Sequence, residues 1–235
     1  MSKLAVLFDL DGTLLPMDYD LFIKYYFGAL AQKMVPYGYE ADSLIRAVWT
    51  GTKAMQLNNG DDTNENRFWV KFAEILGENV MVHKDTLDDF YRKDFIAAKQ
   101  ACGFSPKAKD AVRLVRERGM KCILATNPIF PAVATEARIE WAGLDSGDFD
   151  LITTYHNSRF CKPNPEYYRE ICEKLKLDPA ECAMVGNDVI EDMAAEELGM
   201  ETFLLTDCIL NKENRDITRY THGSFEELIR WIENL

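Results

Sequence analysis

The chain has 235 residues, a length that suits one large domain or a core carrying an insertion. Hydrophobic residues make up 47% and charged residues 28%, the balance of an ordinary soluble globular protein. The net charge of −12 lacks the basic footprint that nucleic-acid binding needs, and it repels anionic membranes.

The first predicted element is also the most informative. Residues 4–15 read LAVLFDLDGTLL, a mostly apolar run that leads straight into Asp9, with Asp11, Gly12 and Thr13 following. A short apolar run bounded by turn residues predicts a buried parallel strand. Ligands of open α/β sheets bind in the crevice outside the carboxyl ends of the strands, so both carboxylates fall where such a sheet does its chemistry. Gly12 can take a positive φ and turn the chain sharply around a small ligand. Asp-Gly after a strand is by itself only a turn signal. An acid pair, however, suits a site where one carboxylate attacks and the other moves protons.

Residues 16–100 lack buried-strand runs and read as helices. Apolar residues at 21, 22, 25, 26, 29 and 30 predict a helix over 18–34. Two more are expected at 40–57 and 64–77, the latter carrying Phe68, Trp69, Phe72, Ile75 and Leu76, and a fourth over about 84–100. The aromatics are read as the packed core of a small bundle. Asp62, Asn64 and Asn66 imitate the start of an EF-hand, but Arg67 replaces the required Gly and Ala73 the terminal Glu, which excludes calcium there.

After residue 100 strands and helices alternate. Ser105-Pro106 opens a helix to about 118, and strand 121–125, helix 130–142 and a strand near 150–154 follow. Helix 165–176 comes next. Asp178 to Glu181 has capping-box character and leads into strand 182–186. A helix near 190–198, strand 201–205 and a final helix from Ser224, with Glu227 as box partner, complete the chain. This alternation predicts an α/β fold with a parallel sheet and helices on both faces.

Three further segments carry candidate chemistry. KCILATN (121–127) is an apolar strand ending in Thr126 and Asn127. In KPNPEYY, Lys162 stands in a loop stiffened by Pro163 and Pro165, the second well placed to start a helix. CAMVGNDVIEDMAAEELGM (182–200) is a strand ending in Gly186, Asn187, Asp188 and, further on, Asp192. With DLDGTLL, these four in order resemble the motifs of the haloacid dehalogenase-like (HAD) hydrolase superfamily. The resemblance covers the whole chain. It implies a Rossmann-like core of residues 1–15 and 101–235 and an inserted all-helical cap of residues 16–100, which closes over the site and selects substrates. The fourth motif departs from the commonest form, which has Asp directly after the Gly, where this chain has Asn187.

The resemblance implies a Mg²⁺-dependent phosphatase acting on a small-molecule phosphate monoester. Asp9 would attack phosphorus and form an aspartyl-phosphate, and Asp11 would protonate the leaving oxygen and then deprotonate the hydrolytic water. Lys162, Thr126, Asn127 and Gly12 would hold the phosphate, with Thr13 in support. Mg²⁺ would sit on the Asp9 carboxylate, the Asp11 backbone carbonyl and a motif-four acid. A charged carboxylate favours Asp188 over Asn187 in that place, and Asp192 would orient Lys162 or the metal-bound waters. A phosphomutase shares the first half of this chemistry. A dehalogenase has no leaving oxygen to protonate, and Asp11 is a residue that branch lacks. An idle phosphate-binding module would have little need of all these residues intact.

The six dispersed cysteines form no C-x-x-C pair and are expected to be reduced thiols of a cytoplasmic protein. The three histidines are read as structural or surface residues. Asp9 and Asp11 interrupt the N-terminal apolar run too early for a signal peptide, and no apolar stretch approaches the ~18–20 residues of a membrane span. The substrate's identity and the oligomeric state are not legible.

Overall fold

The computed structural model describes residues 3–235. Strand β1 (Ala5–Phe8) lies in the middle of a six-stranded sheet of order β3-β2-β1-β4-β5-β6. The other strands are β2 (Lys121–Leu124), β3 (Leu151–Ile152), β4 (Cys182–Gly186), β5 (Glu201–Leu205) and β6 (Thr221–Gly223). Every pairing is parallel, with Phe8 in register with Leu124 on one side and Val185 on the other. The chain builds outward from β1 through β2 to β3, then returns to lay β4 against the other edge of β1. This reversal opens a crevice at the carboxyl ends of β1 and β4, the place where such sheets bind ligands.

Alternate residues of β1 face opposite layers, as strand geometry requires. Val6 and Phe8 pack with α5 (Pro106–Glu117) and α8 (Phe225–Glu233), while Ala5 and Leu7 pack with Tyr168 and Ile171 of α7 (Pro165–Leu175). All four are fully buried, which explains why the strand reads as an unbroken apolar run rather than an alternating one.

Between β1 and α5 lie only helices. These are α1 (Tyr19–Met34), α2 (Ala41–Gln56), α3 (Asn64–Leu76) and α4 (Lys84–Lys93), with short 3-10 turns among them. The helix expected over 84–100 stops at Lys93 and continues as a 3-10 stretch, Phe95–Ala101. Phe95 is thereby fully buried, stacked on Trp141 of α6 (Ala132–Trp141) with ring centroids 5.2 Å apart. The helix expected near 190–198 is likewise a 3-10 stretch, Met193–Leu198. Strand β6 was not expected. It has no apolar run and exists because the exposed edge of β5 pairs with it.

The EF-hand-like segment has a structural purpose. Asn64 is fully buried at the start of α3. Its amide nitrogen donates to the carbonyl oxygens of Pro128 (3.2 Å) and Phe160 (3.3 Å), and its oxygen accepts from Asn58 (2.9 Å). The backbone N–H groups of Asn64 and Glu65 donate to Ser158 and Tyr155, both at 2.9 Å. The helical segment is thus fastened to two loops at the carboxyl edge of the sheet. All six cysteines are free thiols. Among the described residues no helix is long and apolar enough to cross a membrane.

Candidate active site

Asp9 is the first residue past β1. Its N–H donates to Val185 (2.9 Å) and extends the ladder by one bond, so the sheet itself fixes where its carboxylate stands. Asp9 is 7% exposed. Lys162, on the loop before α7, reaches it from the side: Nζ lies 2.8 Å from Asp9 Oδ1 and 2.6 Å from Asp192 Oδ1. Burial alone would lower the ammonium pKa, but Asp192 and Asp9 outweigh it and hold Lys162 well above the ordinary lysine value. A buried cation between two carboxylates keeps its charge because all three groups are hydrogen-bonded, and breaking such a set leaves an uncompensated buried charge. The far oxygen of Asp192 accepts the Asp188 N–H at 2.9 Å, which fixes Asp192 in turn.

Gly12 has φ +84°, as the turn required. A Cβ there would come within 2.3 Å of the Asn187 amide, so the glycine also makes room for β4's loop to approach β1's. The Thr13 hydroxyl bridges the two loops, 3.2 Å from Asp9 Oδ2 and 3.0 Å from Asn187 Oδ1. Asn187 is completed by donating to the Cys208 carbonyl at 2.7 Å.

Asp188 faces differently from its neighbour. Its Oδ1 accepts the N–H groups of Ile190 (2.7 Å) and Glu191 (2.9 Å), closing the turn that follows β4. One carboxylate oxygen therefore serves its own backbone. The Asn187 amide oxygen accepts from Thr13, which also bonds Asp9, while Asp188, expected at the metal, lines the same cavity with its other oxygen outside that turn.

Thr126 and Asn127 follow β2, beside β1. The Thr126 carbonyl accepts the hydroxyls of Thr153 (2.7 Å) and Tyr167 (2.9 Å), which pins the loop. Asn127 donates to Glu191 Oε2 at 2.9 Å, and its own side-chain oxygen is buried without a partner among the described residues. Burial pushes the Glu191 carboxyl up to about 7.

Three residues at the site escaped the sequence reading. Arg138, on α6, is 1% exposed and forms an ion pair with Asp11 Oδ2. Its guanidinium also lies over the Phe130 ring, 4.4 Å from the centroid. The available signal was a charged residue on the same helical stripe as Ala134, Thr135 and Ile139, all of them buried. Tyr19 donates its hydroxyl to the Asp11 carbonyl. Burial and the neighbouring Asp9 and Asp11 raise its pKa, so it stays a neutral donor. Glu191 is the third, and nothing but its place near Asp188 pointed to it. For Asp11 itself burial is the largest influence and raises the pKa, Arg138 opposes it, and Asp9 adds to the rise. The net shift is upward, toward a carboxyl able to hold a proton, and its Oδ1 is buried and unpartnered among the described residues.

The oxygens gathered here are hard donors: the Asp9 carboxylate, the Asn187 amide and the Asp11 carbonyl. No three His, Cys, Asp or Glu side chains among the described residues group as a metal cluster. A set with few carboxylates fits Mg²⁺, which keeps several waters and takes one or two protein carboxylates, better than a cation that needs a full protein cage.

The chain belongs to the haloacid dehalogenase-like hydrolases, whose family pattern it matches over residues 4–199. Among curated relatives, the phosphoglycolate phosphatase of Vibrio vulnificus is 25% identical over 212 residues, covering 86% of this chain and 82% of that protein. Mouse acyl-CoA dehydrogenase family member 10 is 24% identical over 86% of this chain, which spans only 18% of that protein's length. A Bacillus subtilis protein that carries a phosphatase name is 25% identical over 134 residues, 56% of this chain and 60% of its own length. Among solved structures, the 2-haloacid dehalogenase of Pseudomonas syringae superposes with a TM-score of 0.62 at 18% identity, over 98% of this chain and all of that one. The HAD phosphatase of Thermococcus onnurineus gives 0.59 at 20% identity, over 99% and 98%. These structural likenesses speak for the fold alone.

Proposed function

We propose that the protein is a Mg²⁺-dependent phosphatase that hydrolyses a small-molecule phosphate monoester through an aspartyl-phosphate. The observation that carries this reading is the buried Asp9 carboxylate held at the end of β1, with Lys162 Nζ 2.8 Å away. A phosphoryl group approaching Asp9 brings negative charge to a carboxylate. Lys162 offsets it at one oxygen, and the cation held by Asp9, Asn187 and the Asp11 carbonyl would supply further positive charge to the transferring phosphoryl oxygens. Asn187 takes the fourth-motif place in this reading, since Asp188 is engaged with its own turn.

An oxygen of Asp9 forms the bond to phosphorus as the ester P–O bond breaks, and Asp11 gives its proton to the departing alcohol oxygen. A water then attacks the phosphorus of the aspartyl-phosphate, Asp11 takes its proton back, and phosphate leaves with Asp9 restored. Burial suits Asp11 to the proton-holding half of this cycle, and Arg138 suits it to the ionised half. Residues 16–100 act as the cap that encloses the site, and their fastening through Asn64 supports that role. The presence of Asp11 favours phosphoryl transfer over dehalogenation, which has no leaving oxygen to protonate.

The test is a reaction of a generic aryl phosphate with Mg²⁺ in heavy-oxygen water, carried through many turnovers. Phosphate should be released. Multiple turnovers should leave heavy oxygen in the phosphate and none in the Asp9 carboxylate, because the water attacks phosphorus. Label in the Asp9-bearing peptide, or phosphate release that survives Asp9→Asn, would overturn the assignment.

A further inference from the structure

A cavity of about 270 Å³ opens from the carboxylates of the site into the helical segment. Its two ends differ sharply in chemistry. At the sheet end the wall includes Asp9, Asp11, Asn127, Asp188, Glu191 and Asp192. The helical end is aromatic, with Phe27, Trp49, Phe68, Trp69, Phe72 and Tyr91 prominent among its residues. From Met17 to Tyr91 the wall contains no Lys, Arg or His, and its one charged residue is Asp88, which is exposed. The two cations elsewhere in the wall belong to the sheet end. Arg138 is bound to Asp11, and Lys212 is an exposed residue on the loop after β5.

This division fixes what can enter. A substrate whose non-phosphate part carries a carboxylate or a second phosphate would have to bury that anion against aromatic rings and near an acidic side chain, with no counter-charge. A buried anion without a partner is strongly disfavoured. A sugar or polyol would find only scattered partners there, such as Thr52, Gln56 and the Trp69 Nε1, unpartnered among the described residues, and would leave its other hydroxyls facing rings, which is also costly. An aromatic or compact aliphatic group instead gains burial on every wall, and ring faces favour offset or edge contacts with another ring. The volume lies just under the usual range for pockets that take small molecules, so one ring and a short linker fill it.

We propose that the substrate class is the phosphate monoester of a compact apolar alcohol, aryl-alkyl or branched aliphatic, with the apolar body seated among the helices and the phosphate at Asp9. This rests on the phosphatase reading of the site. It sets this chain apart from its phosphoglycolate phosphatase relative, whose named substrate carries a carboxylate.

The experiment compares primary-alcohol phosphates whose leaving oxygens are of similar basicity, so that differences report the cavity rather than the chemistry. Initial rates with Mg²⁺ are measured on the full chain for benzyl phosphate and 2-phenylethyl phosphate against glycerol 1-phosphate and phosphoglycolate. The apolar esters should have kcat/KM higher by at least about tenfold, the discrimination a hydrophobic pocket gives for a group it can bury, and mainly through KM. Binding is measured separately by calorimetry with two non-hydrolysable phosphonates, benzylphosphonate and phosphonoacetate, and the first should bind at least about tenfold more tightly. Trp49 is half-exposed at the cavity wall, so Trp49→Ala should fold and should narrow both ratios several-fold. Equal or better turnover of phosphoglycolate or glycerol 1-phosphate, with phosphonoacetate binding as well as benzylphosphonate, would overturn the substrate class while leaving a phosphatase. Release of phosphate from none of the four esters would overturn the phosphatase reading, and the proposal with it.

Discussion

The two ends of the cavity are built on opposite principles. At the sheet end, polar and charged groups are buried and nearly every one is tied to a partner: Lys162 to Asp9 and Asp192, Asp192 to the Asp188 N–H, Thr13 to Asp9 and Asn187. At the helical end, rings pack against rings, for example Phe68 on Phe72 at 5.0 Å and Phe27 on Trp49 at 5.5 Å. Directional bonds hold a reacting group within tenths of an ångström, whereas apolar packing sets volume and shape but tolerates exchange. Substitutions at the sheet end should therefore abolish or cripple chemistry, and those at the helical end should change which molecule is accepted.

The sharpest division comes from Asp9→Asn. The change is nearly isosteric and the amide oxygen can still accept from Lys162, so the fold should survive. Turnover should fall by on the order of 10⁴-fold or more, as for other enzymes stripped of a nucleophile. Circular dichroism and a phosphate-release assay on the purified variant check both halves, and a tenfold loss or less would dissolve the contrast between the two ends.

Lys162→Met should be the most destabilising change at the site. It leaves Asp9 and Asp192 buried together without their cation, and breaking a buried pair costs about 3–5 kcal/mol. A thermal melt should show the loss. Adding Asp192→Asn to Lys162→Met should restore part of it, since one uncompensated charge is then gone. A double variant no more stable than the single one would count against the ion set as the source.

The fourth motif gives a finer test. Asn187→Ala should raise the Mg²⁺ concentration for half-maximal activity by at least about tenfold. Asp188→Asn should raise it weakly, since an amide oxygen can still accept the Ile190 and Glu191 N–H groups. The reverse ranking in side-by-side titrations would return the metal contact to Asp188. Gly12→Ala comes next: at φ +84° and against the Asn187 amide it should cost about 1–3 kcal/mol of stability.

The smallest effect is a pH dependence. Glu191 has its pKa raised from 4.5 to about 7 by burial, so the native state keeps a proton that the unfolded chain has lost. Stability from this group is fully present below about 4.5 and is lost as pH rises through about 7. In metal-free buffer, Glu191→Gln should therefore flatten the fall in melting temperature across that interval. An unchanged slope would show that the carboxyl is not held neutral.

Much of this was legible in the chain itself. The apolar run into Asp9, the Gly12 turn, the strand ends at Thr126 and Gly186 and the Lys162 loop are local features, and local physics writes them directly into sequence: burial on two faces gives an unbroken apolar run, and a positive φ asks for glycine. The final helix shows the same, with Glu227 accepting the Ser224 N–H at 2.7 Å as the spacing foretold. Where side chains had to be aimed, sequence was largely silent. Charge favours Asp188 at the metal, and nothing in the sequence foretold that one of its oxygens caps the turn after β4. The 3-10 stretch after α4 followed from Phe95's need to reach Trp141, a residue on a different helix.

The sequence by itself determined an acid pair after a central strand, a lysine on a later loop, and membership of the haloacid dehalogenase-like hydrolases. The tertiary structure alone decided that Arg138, 127 residues from Asp11, pairs with it, that Tyr19 caps the Asp11 carbonyl, and that aromatic side chains from several helices line one end of a cavity whose wall from Met17 to Tyr91 holds no Lys, Arg or His. The reason is one of range. Backbone conformation and burial pattern arise between near neighbours and leave a periodic trace, whereas a pairing or a cavity wall is assembled from distant segments whose meeting depends on the whole packed fold.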